Sequence, residues 1–232
     1  TDKTHYSTYL YKYVKIEPVE GTPYDVWVAG IQLDSTNTTI DSNDNFAVTG
    51  SATYDPTSNT LTLDNFSYTG AGYNLSSTTN VLIYSTGIDL KIVLKGTNKL
   101  VGTGDYQLGI IIEDGSLTIA GSDEYSDTAS LELTVDDICI YADDSLSIEN
   151  VKLTTTTTAL PTGNGSPSQA ILAYGDLSIT SSEVTVIAGD SDGDGIIEFG
   201  YTQGIISGGK VTFKIYGKET RPAGRKVSFV SE

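Results

Sequence analysis

The stretch GIIIEDGSLTI, Gly109–Ile119, decides the fold because it joins two apolar segments through a short polar turn. After the turn, Leu117 and Ile119 flank a polar residue, which is the alternation of a strand with one buried face. The same order returns in YADDSLSI, Tyr141–Ile148, and in AILAYGDLSI, Ala170–Ile179. Self-similarity at a period of about thirty residues predicts structural repeats that stack on one another.

The predicted repeats align on one apolar anchor after each turn. The anchors follow one another at intervals of 27, 29, 31 and 34 residues: Leu90, Leu117, Leu146, Leu177 and Val211. A second apolar column lies two positions after the anchors: Ile92, Ile119, Ile148, Ile179 and Phe213. A third column lies six positions before them: Tyr84, Ile111, Ile140, Ile171 and Ile205. We expect these columns to stack as ladders, with neighbouring strands about 4.8 Å apart.

Several repeats also carry a third apolar pair, such as Leu131 and Leu133. Three short strands per repeat predict an all-β fold, a right-handed parallel β-helix whose coils close their core only by stacking. We expect residues 1–80 to form an N-terminal β cap with the initial coils, and residues 81–232 to form the later coils. Long loops are predicted at 154–169 and 188–203, on one edge. A β-sandwich with chance similarity between its strands is the alternative.

The charge of the chain lies in one continuous stretch. The sequence has 30 acidic and 13 basic residues, a formal net charge of −17. Residues 100–209 hold 18 acids and one base, Lys152, which also gives −17. Nucleic acid is therefore not expected as a partner, because phosphate binding requires clustered Lys and Arg. A solubilising acidic surface and a surface neutralised in part by metal ions are both consistent with this charge.

Other composition features restrict the function further. No apolar run reaches about 18 residues, so no membrane-inserted segment is expected. The single cysteine, Cys139, excludes an intramolecular disulfide and is expected to be a small buried residue. The single histidine, His5, stands in the polar opening TDKTHYS, which is typical of a mature or trimmed chain, and no catalytic role is expected for it.

The segment GDSDGDGIIEFG, Gly189–Gly200, predicts a bound hard cation. Asp190, Asp192 and Asp194 fall at positions 1, 3 and 5 with glycine at position 6, as in the front half of an EF-hand calcium loop. Position 12 is Tyr201 where a complete loop has glutamate, and Glu198 falls at position 9. We therefore expect Ca²⁺ in a loop that takes its remaining oxygens from neighbours. A solvated Asp/Gly turn is the alternative.

A second acidic row follows from the alignment of the repeats. Asp114 and Asp143 both lie three positions before their anchors, with Asp144 beside Asp143 and Asp176 one column further on. On adjacent coils these carboxylates would stand close enough to share a metal or to raise a pKa. Screening by water, which would leave them without a function, stays open.

The segments YDVWVAGIQL, Tyr24–Leu33, and YDPTSNTLTLDNF, Tyr54–Phe66, precede the repeats already quoted. Together they resemble a family of bacterial cell-surface carbohydrate-binding β-helix proteins, over roughly residues 24–215. That family is similar in fold to calcium-dependent pectate lyases, and the resemblance implies binding of cellulose or acidic plant sugars with calcium in the loops. Beyond the acidic loop, no family calcium ligand can be carried over residue by residue.

We therefore expect an extracellular, calcium-binding, non-catalytic carbohydrate-binding module, secreted or on a bacterial surface. Its partner would be an acidic or cellulosic polysaccharide, and Tyr141, Tyr174 and Tyr201 are the candidates for stacking on sugar rings. A chain that is part of a larger surface protein fits this reading. The alternatives are a structural or adhesive stalk with no sugar site, and a weak calcium-dependent polysaccharide lyase with Lys152 as its base.

Overall fold

The computed structural model describes residues 20–122, 124, 128–158, 170–189, 197–199, 204–207 and 210–216. These residues lie mainly in β-strands. Within these ranges no helix has the length and apolar character needed to cross a membrane. The predicted site residues Asp190, Asp192, Asp194 and Tyr201, and also His5, lie outside the described residues.

The described strands fall into a leading group and a repeating group. The leading strands are β1 Pro23–Val28, β2 Ile31–Asp34, β3 Thr39–Ile40, β4 Val48–Asp55, β5 Thr60–Gly70 and β6 Tyr73–Asn74. The repeating strands are β7 Asn80–Thr86, β8 Leu90–Lys95, β9 Thr97–Gly102, β10 Gln107–Glu113, β11 Leu117–Gly121, β12 Ser130–Val135, β13 Ile140–Ala142, β14 Leu146–Glu149, β15 Lys152–Thr157, β16 Ile171–Ala173, β17 Leu177–Thr180, β18 Glu183–Gly189, β19 Ile197–Phe199, β20 Gly204–Ser207 and β21 Lys210–Tyr216.

The leading strands pair mostly antiparallel. Strand β1 pairs with β2 and with β7, and β4 pairs with β3 and β5, in each case antiparallel. The long strand β5 then pairs in parallel with β8 through its first half and with β9 through its second half. Strand β5 therefore carries the change from the antiparallel start to the parallel coils, which begin with β7.

The repeating strands stack in parallel, three to a coil. The first strands of the coils form one sheet, which we call sheet A, in the order β19-β16-β13-β10-β7-β1-β2. The second and third strands form a larger sheet, sheet B, in the order β20-β17-β14-β11-β8-β5-β9-β12-β15-β18-β21. The fold is a parallel β-solenoid, as the repeats predict. The β-sandwich alternative is wrong, because each strand pairs with its counterpart about one repeat away in the chain.

The predicted leucine ladder is present over four coils. Leu90, Leu117, Leu146 and Leu177 are consecutive partners in register, and all four are buried. Each is followed two residues later by a buried isoleucine in the same arrangement. Stacking of these apolar side chains along the axis forms the core, because one coil alone buries only a stripe of side chains.

The fifth predicted anchor is wrong. Val211 lies in β21, in register with Val184 of β18, and so belongs to the column of third strands. The partner of Leu177 in the next coil is Gly204, and Ile205 pairs with Ser178 rather than with Ile171. The sequence KVTF alternates as both a second and a third strand of a coil do, so the pattern alone does not distinguish these two positions.

The predicted column six positions before the anchor contains a shift of one residue. Ile111 pairs with Tyr84 on one side but with Tyr141 on the other, while Ile140 pairs with Ile110. The cause is the connection from sheet A to sheet B, because four residues separate Ile112 from Leu117 whereas three separate their register partners Ala142 and Leu146. Asp114, with φ of 54°, adopts the left-handed conformation in that longer connection.

Two predicted loop boundaries also change. Strand β15 extends to Thr157, so the segment predicted as a loop at 154–169 begins within a strand. Thr155 and Thr157 point inward and are buried, which explains why a run of threonines continues the strand alternation. Strand β19, Ile197–Phe199, lies within the loop predicted at 188–203, and it supplies the first strand of the next coil.

Cys139 is a buried core residue, as predicted, and its thiol is free. Its sulfur lies 3.9 Å from the carbonyl oxygen of Leu133. Burial raises the pKa of the Cys139 thiol well above its ordinary value, so it stays protonated. The residue therefore acts as a packing group of the core.

Candidate functional site

One column of large apolar side chains crosses sheet A from coil to coil. Its members are consecutive register partners: Trp27, Tyr84, Ile111, Tyr141 and Leu172. We call these five residues the aromatic column. Neighbouring strands in a sheet are about 4.8 Å apart, so the column rises along the solenoid axis by that step per strand.

The aromatic column faces away from the core. Ile110 and Ile112 belong to the main core cluster, whereas Ile111, between them, belongs to a separate cluster with Tyr84 and Val81. Successive residues of a strand point to opposite faces of the sheet. The second cluster therefore lies on the outer face of sheet A, where polar residues would be expected from the alternation of a sheet with one wet face.

Three aromatic rings meet at the N-terminal end of the column. The rings of Trp27 and Tyr73 stack with centroids 4.9 Å apart, and Tyr73 stacks on Tyr84 at 5.6 Å. The centroids of Trp27 and Tyr84 are 5.3 Å apart. Tyr84 is buried beneath this group, while Trp27 and Tyr73 are partly exposed. Trp27 and Tyr73 thus present partly exposed aromatic surface that packs on the buried ring of Tyr84.

Tyr141 meets Tyr174 near the other end of the column, where Tyr174 lies two residues after the last member, Leu172. Their rings contact edge to face with centroids 5.7 Å apart. Tyr174 follows β16 in the turn and is 55% exposed, whereas Tyr141 is partly buried. The structure therefore brings together two of the three tyrosines predicted to bind sugar.

A row of polar side chains runs beside the aromatic column, two residues further along each strand. Glu113 is in register with Thr86, and Asp143 continues the row after β13. We call Thr86, Glu113 and Asp143 the polar row. The Tyr84 hydroxyl donates to Glu113 Oε2 at 2.6 Å, and the Tyr141 hydroxyl donates to Asp143 Oδ1. Each carboxylate thereby accepts a hydrogen bond from a tyrosine of the aromatic column.

The tyrosine–carboxylate pairs have an electrostatic consequence. Burial, followed by the hydrogen bond to Glu113, raises the pKa of the Tyr84 hydroxyl above its ordinary value. Burial and the bond to Asp143 raise the pKa of Tyr141 in the same way. Both hydroxyls therefore stay protonated and donate, which leaves the free lone pairs of Glu113 and Asp143 as acceptors for a ligand.

The predicted acidic row is only partly assembled. Asp143 Oδ2 accepts a hydrogen bond from the backbone N–H of Asp114 at 2.8 Å, so these two residues are neighbours as predicted. Their register is different from the prediction, because Asp143 follows the partner of Ile112 and is therefore level with Glu113. Asp144 and Asp176 are exposed in the turns, and each takes part in the backbone stacking of those turns.

The structure brings no metal-binding group together among the acidic residues that it describes. In the parts of the chain that the structure describes, no group of three or more His, Cys, Asp or Glu residues is placed to hold a metal ion. Asp143 instead binds a phenol and a backbone amide. Glu198 lies in β19, with its backbone in register with Leu172. A calcium site at Asp190, Asp192 and Asp194 stays a prediction.

Lys152 lies on a different part of the solenoid from Asp143. It is in β15, where its ammonium group is 3.7 Å from the Glu183 carboxylate, on the outer surface of sheet B. Asp143 and Asp144 precede β14, and Lys152 follows its other end. Strand β14 thus separates Lys152, the candidate base of a lyase, from the carboxylates of Asp143 and Asp144.

Four aromatic or acidic residues of this face are absent from the predicted site residues: Trp27, Tyr73, Tyr84 and Glu113. One signal for this face was available in GIIIE. If Ile110 and Ile112 point into the core, the apolar Ile111 between them must point outward. Register places Trp27 beside Tyr84, but the two are far apart in sequence and pair antiparallel, which the repeat alignment does not include.

No protein-family model matches the chain, and no curated protein and no solved structure matches it either.

Proposed function

We propose that this protein is a non-catalytic carbohydrate-binding module of a bacterial surface or secreted protein, and that it binds sugar on the outer face of sheet A. The observation that carries the proposal is the pairing of Tyr141 and Tyr174 beside Asp143. An exposed ring edge-on to a second ring, next to a carboxylate acceptor, offers the two contacts that a sugar requires.

Sugars present apolar C–H faces and a rim of hydroxyl donors. The partly exposed ring of Tyr141 and the exposed ring of Tyr174 can pack against such a face, as aromatic side chains do with other apolar surfaces. Asp143 and Glu113 can accept hydrogen bonds from the hydroxyl rim, and bonds to ionised acceptors are stronger than neutral ones. The solenoid supports this proposal, because it holds Tyr141 and Glu113 on strands, and Asp143 and Tyr174 in the short turns that follow their strands, rather than on a long loop.

Tyrosine is suited to this role because it combines large contact area with few rotatable bonds. The rotamer of Tyr141 is held by its own bond to Asp143 and by contact with Tyr174. A side chain that is already fixed loses little conformational entropy when a ligand binds. The site is thus preorganised for weak, reversible sugar binding.

A glycan array tests the proposal directly. The purified protein should bind a defined subset of plant cell-wall polysaccharides, and Tyr141→Ala combined with Tyr174→Ala should abolish that binding while the circular dichroism spectrum remains that of a β protein. Failure of the wild-type protein to bind any glycan, with the fold intact, would favour the alternative of a structural stalk.

Calcium is proposed for the acidic segment that begins at Asp190. Running the array with and without a chelator asks whether sugar binding needs the ion. Melting curves ask a separate question, because an ion that binds only the folded chain raises its stability by linkage. A melting temperature that falls in excess chelator, and does not fall for the triple variant Asp190→Asn, Asp192→Asn, Asp194→Asn, is the result expected.

A further inference from the structure

We propose that the ligand of this face is an extended neutral glycan that runs along the solenoid axis, across the strands, from the Tyr141–Tyr174 end to Trp27. This inference rests on the proposed function and specifies the class and orientation of its ligand. It follows from three features of the outer face: the direction of the aromatic column, the position of the polar row, and the charge of that row.

The first feature is direction. Trp27, Tyr84, Ile111 and Tyr141 are successive register partners, so this part of the aromatic column runs across four strands, about 14 Å at a strand spacing of about 4.8 Å. One strand step is close to the length of one pyranose residue in an extended chain. A glycan along the axis would therefore advance by about one sugar per coil.

The second feature is the arrangement of exposed and buried members. Trp27 and Tyr73 are partly exposed at one end, and Tyr174 is exposed at the other. Between them Tyr84 and Ile111 are buried to 7% and 3% exposure and form a low floor. Aromatic contacts at both ends of a flat apolar floor fit a chain that spans several sugars better than a single ring.

The third feature is the polar row, which lies on one side of Tyr84, Ile111 and Tyr141 and is followed by Tyr174 on the next coil. Leu108 and Ile138, which pack against Val81 and its neighbours, lie on the opposite side of the same cluster. A chain parallel to the axis would keep its hydroxyl edge over Glu113 and Asp143 and its apolar face over the column. A glycan parallel to the strands would instead cross from the aromatic column to the polar row, which are only two protein residues apart along each strand.

Charge decides the class of sugar. The two ionisable side chains of the polar row, Glu113 and Asp143, are carboxylates, and the third member, Thr86, is neutral. Carboxylates attract hydroxyl donors but repel uronate groups at short range. The face therefore complements a neutral glycan and disfavours a polyuronate.

Trp27 offers a direct measurement because it is the single tryptophan of the chain. We would titrate the wild-type protein with cellobiose, cellotriose, cellotetraose and cellopentaose, following both heat and tryptophan fluorescence. Affinity should rise with length until Trp27 is reached, and the fluorescence change should appear only for the longer members. Trp27→Ala should lower the affinity for cellopentaose about tenfold, and by clearly more than it lowers the affinity for cellobiose.

Trp27→Phe is the matched variant, since it keeps an aromatic ring and should restore most of the length dependence. Melting curves of both variants would separate loss of contact from loss of fold. Equal affinity for cellobiose and cellopentaose, or an unchanged length dependence in Trp27→Ala, would overturn the inference. So would oligogalacturonate binding at least as tightly as cellopentaose. Each of these results requires that the wild-type protein binds sugar, whereas failure of the proposed function shows no binding at all.

Discussion

The Asp143 carboxylate accepts a hydrogen bond, 2.8 Å long, from the backbone N–H of Asp114 on the preceding coil. Asp114 lies in the connection that is one residue longer, and its φ of 54° is in the left-handed region. The carboxylate thus binds the amide that this longer connection leaves without a partner in the regular ladder. A residue predicted as a metal ligand acts here as a link between coils and as the acceptor of Tyr141.

Truncation of Asp143 should therefore destabilise the fold. Asp143→Ala leaves the Asp114 amide and the Tyr141 hydroxyl without their acceptor, and such losses cost about 1–3 kcal/mol of the free energy of unfolding. Asp143→Asn keeps an acceptor and should cost less. Urea denaturation measures both, with Asp144→Ala at the exposed neighbouring position as the control. Equal stability of Asp143→Ala and Asp144→Ala would contradict this role.

Gly115 should be required by the close stacking of the turns. A Cβ atom at Gly115 would lie 2.2 Å from the carbonyl oxygen of Ile88 on the preceding coil. Gly87 differs, since its φ is 71° but a Cβ there meets nothing within 4 Å. We expect Gly87→Ala to cost about 1 kcal/mol from backbone strain alone. Gly115→Ala should cost clearly more, because the two coils must separate, and thermal melting of the two variants compares them.

The buried amide of Asn98 should be a major stabilising group near the turn between β8 and β9. Its Oδ1 accepts from the Phe66 N–H at 2.8 Å, and its Nδ2 donates to the Ser130 carbonyl oxygen at 3.2 Å. Asn98→Ala removes the partner of the buried Phe66 N–H and of the partly buried Ser130 carbonyl oxygen, so we expect a loss of about 2–4 kcal/mol.

Lys99→Ala is the control for Asn98. Lys99 makes an exposed ion pair, 3.4 Å long, with Glu132, and such pairs contribute about 1 kcal/mol or less. Chemical denaturation of the two variants gives the comparison. If both lose the same stability, the side-chain bonds of Asn98 do not hold the coils together.

The pH dependence of stability should have a contribution from Asp34. Hydrogen bonds from the Thr36 hydroxyl and from the N–H groups of Thr36 and Asn37 lower the pKa of this carboxyl. A lowered pKa in the folded state means that the ionised form stabilises the turn above the ordinary aspartate range, and that this contribution is lost as the pH falls. Asp34→Asn should flatten the acid side of the pH–stability profile. If the loss of stability at acid pH is the same in Asp34→Asn and in the wild type, the hydrogen bonds to Asp34 do not contribute to the pH dependence.

The leucine ladder could be predicted from the sequence, whereas most of the candidate site could not. Leu90, Leu117, Leu146 and Leu177 were predictable because burial imposes the same residue type at each coil. The pairing of Ile140 was missed because one left-handed residue, Asp114, shifts the register without changing the pattern. Trp27 was missed because it joins the column through antiparallel pairing, which leaves no repeat in the sequence.

The most direct test of the binding face is a calorimetric titration of three proteins with cellopentaose and with oligogalacturonate: wild type, Tyr174→Ala and Tyr106→Ala. Tyr106 is the matched control, because it is 62% exposed and lies at the opposite end of β10 from Glu113. We predict that Tyr174→Ala lowers the affinity for the bound sugar about tenfold or more, while Tyr106→Ala binds as the wild type does. Sugar binding that is unaffected by Tyr174→Ala, or lost equally in both variants, would contradict the assignment of the site to the outer face of sheet A.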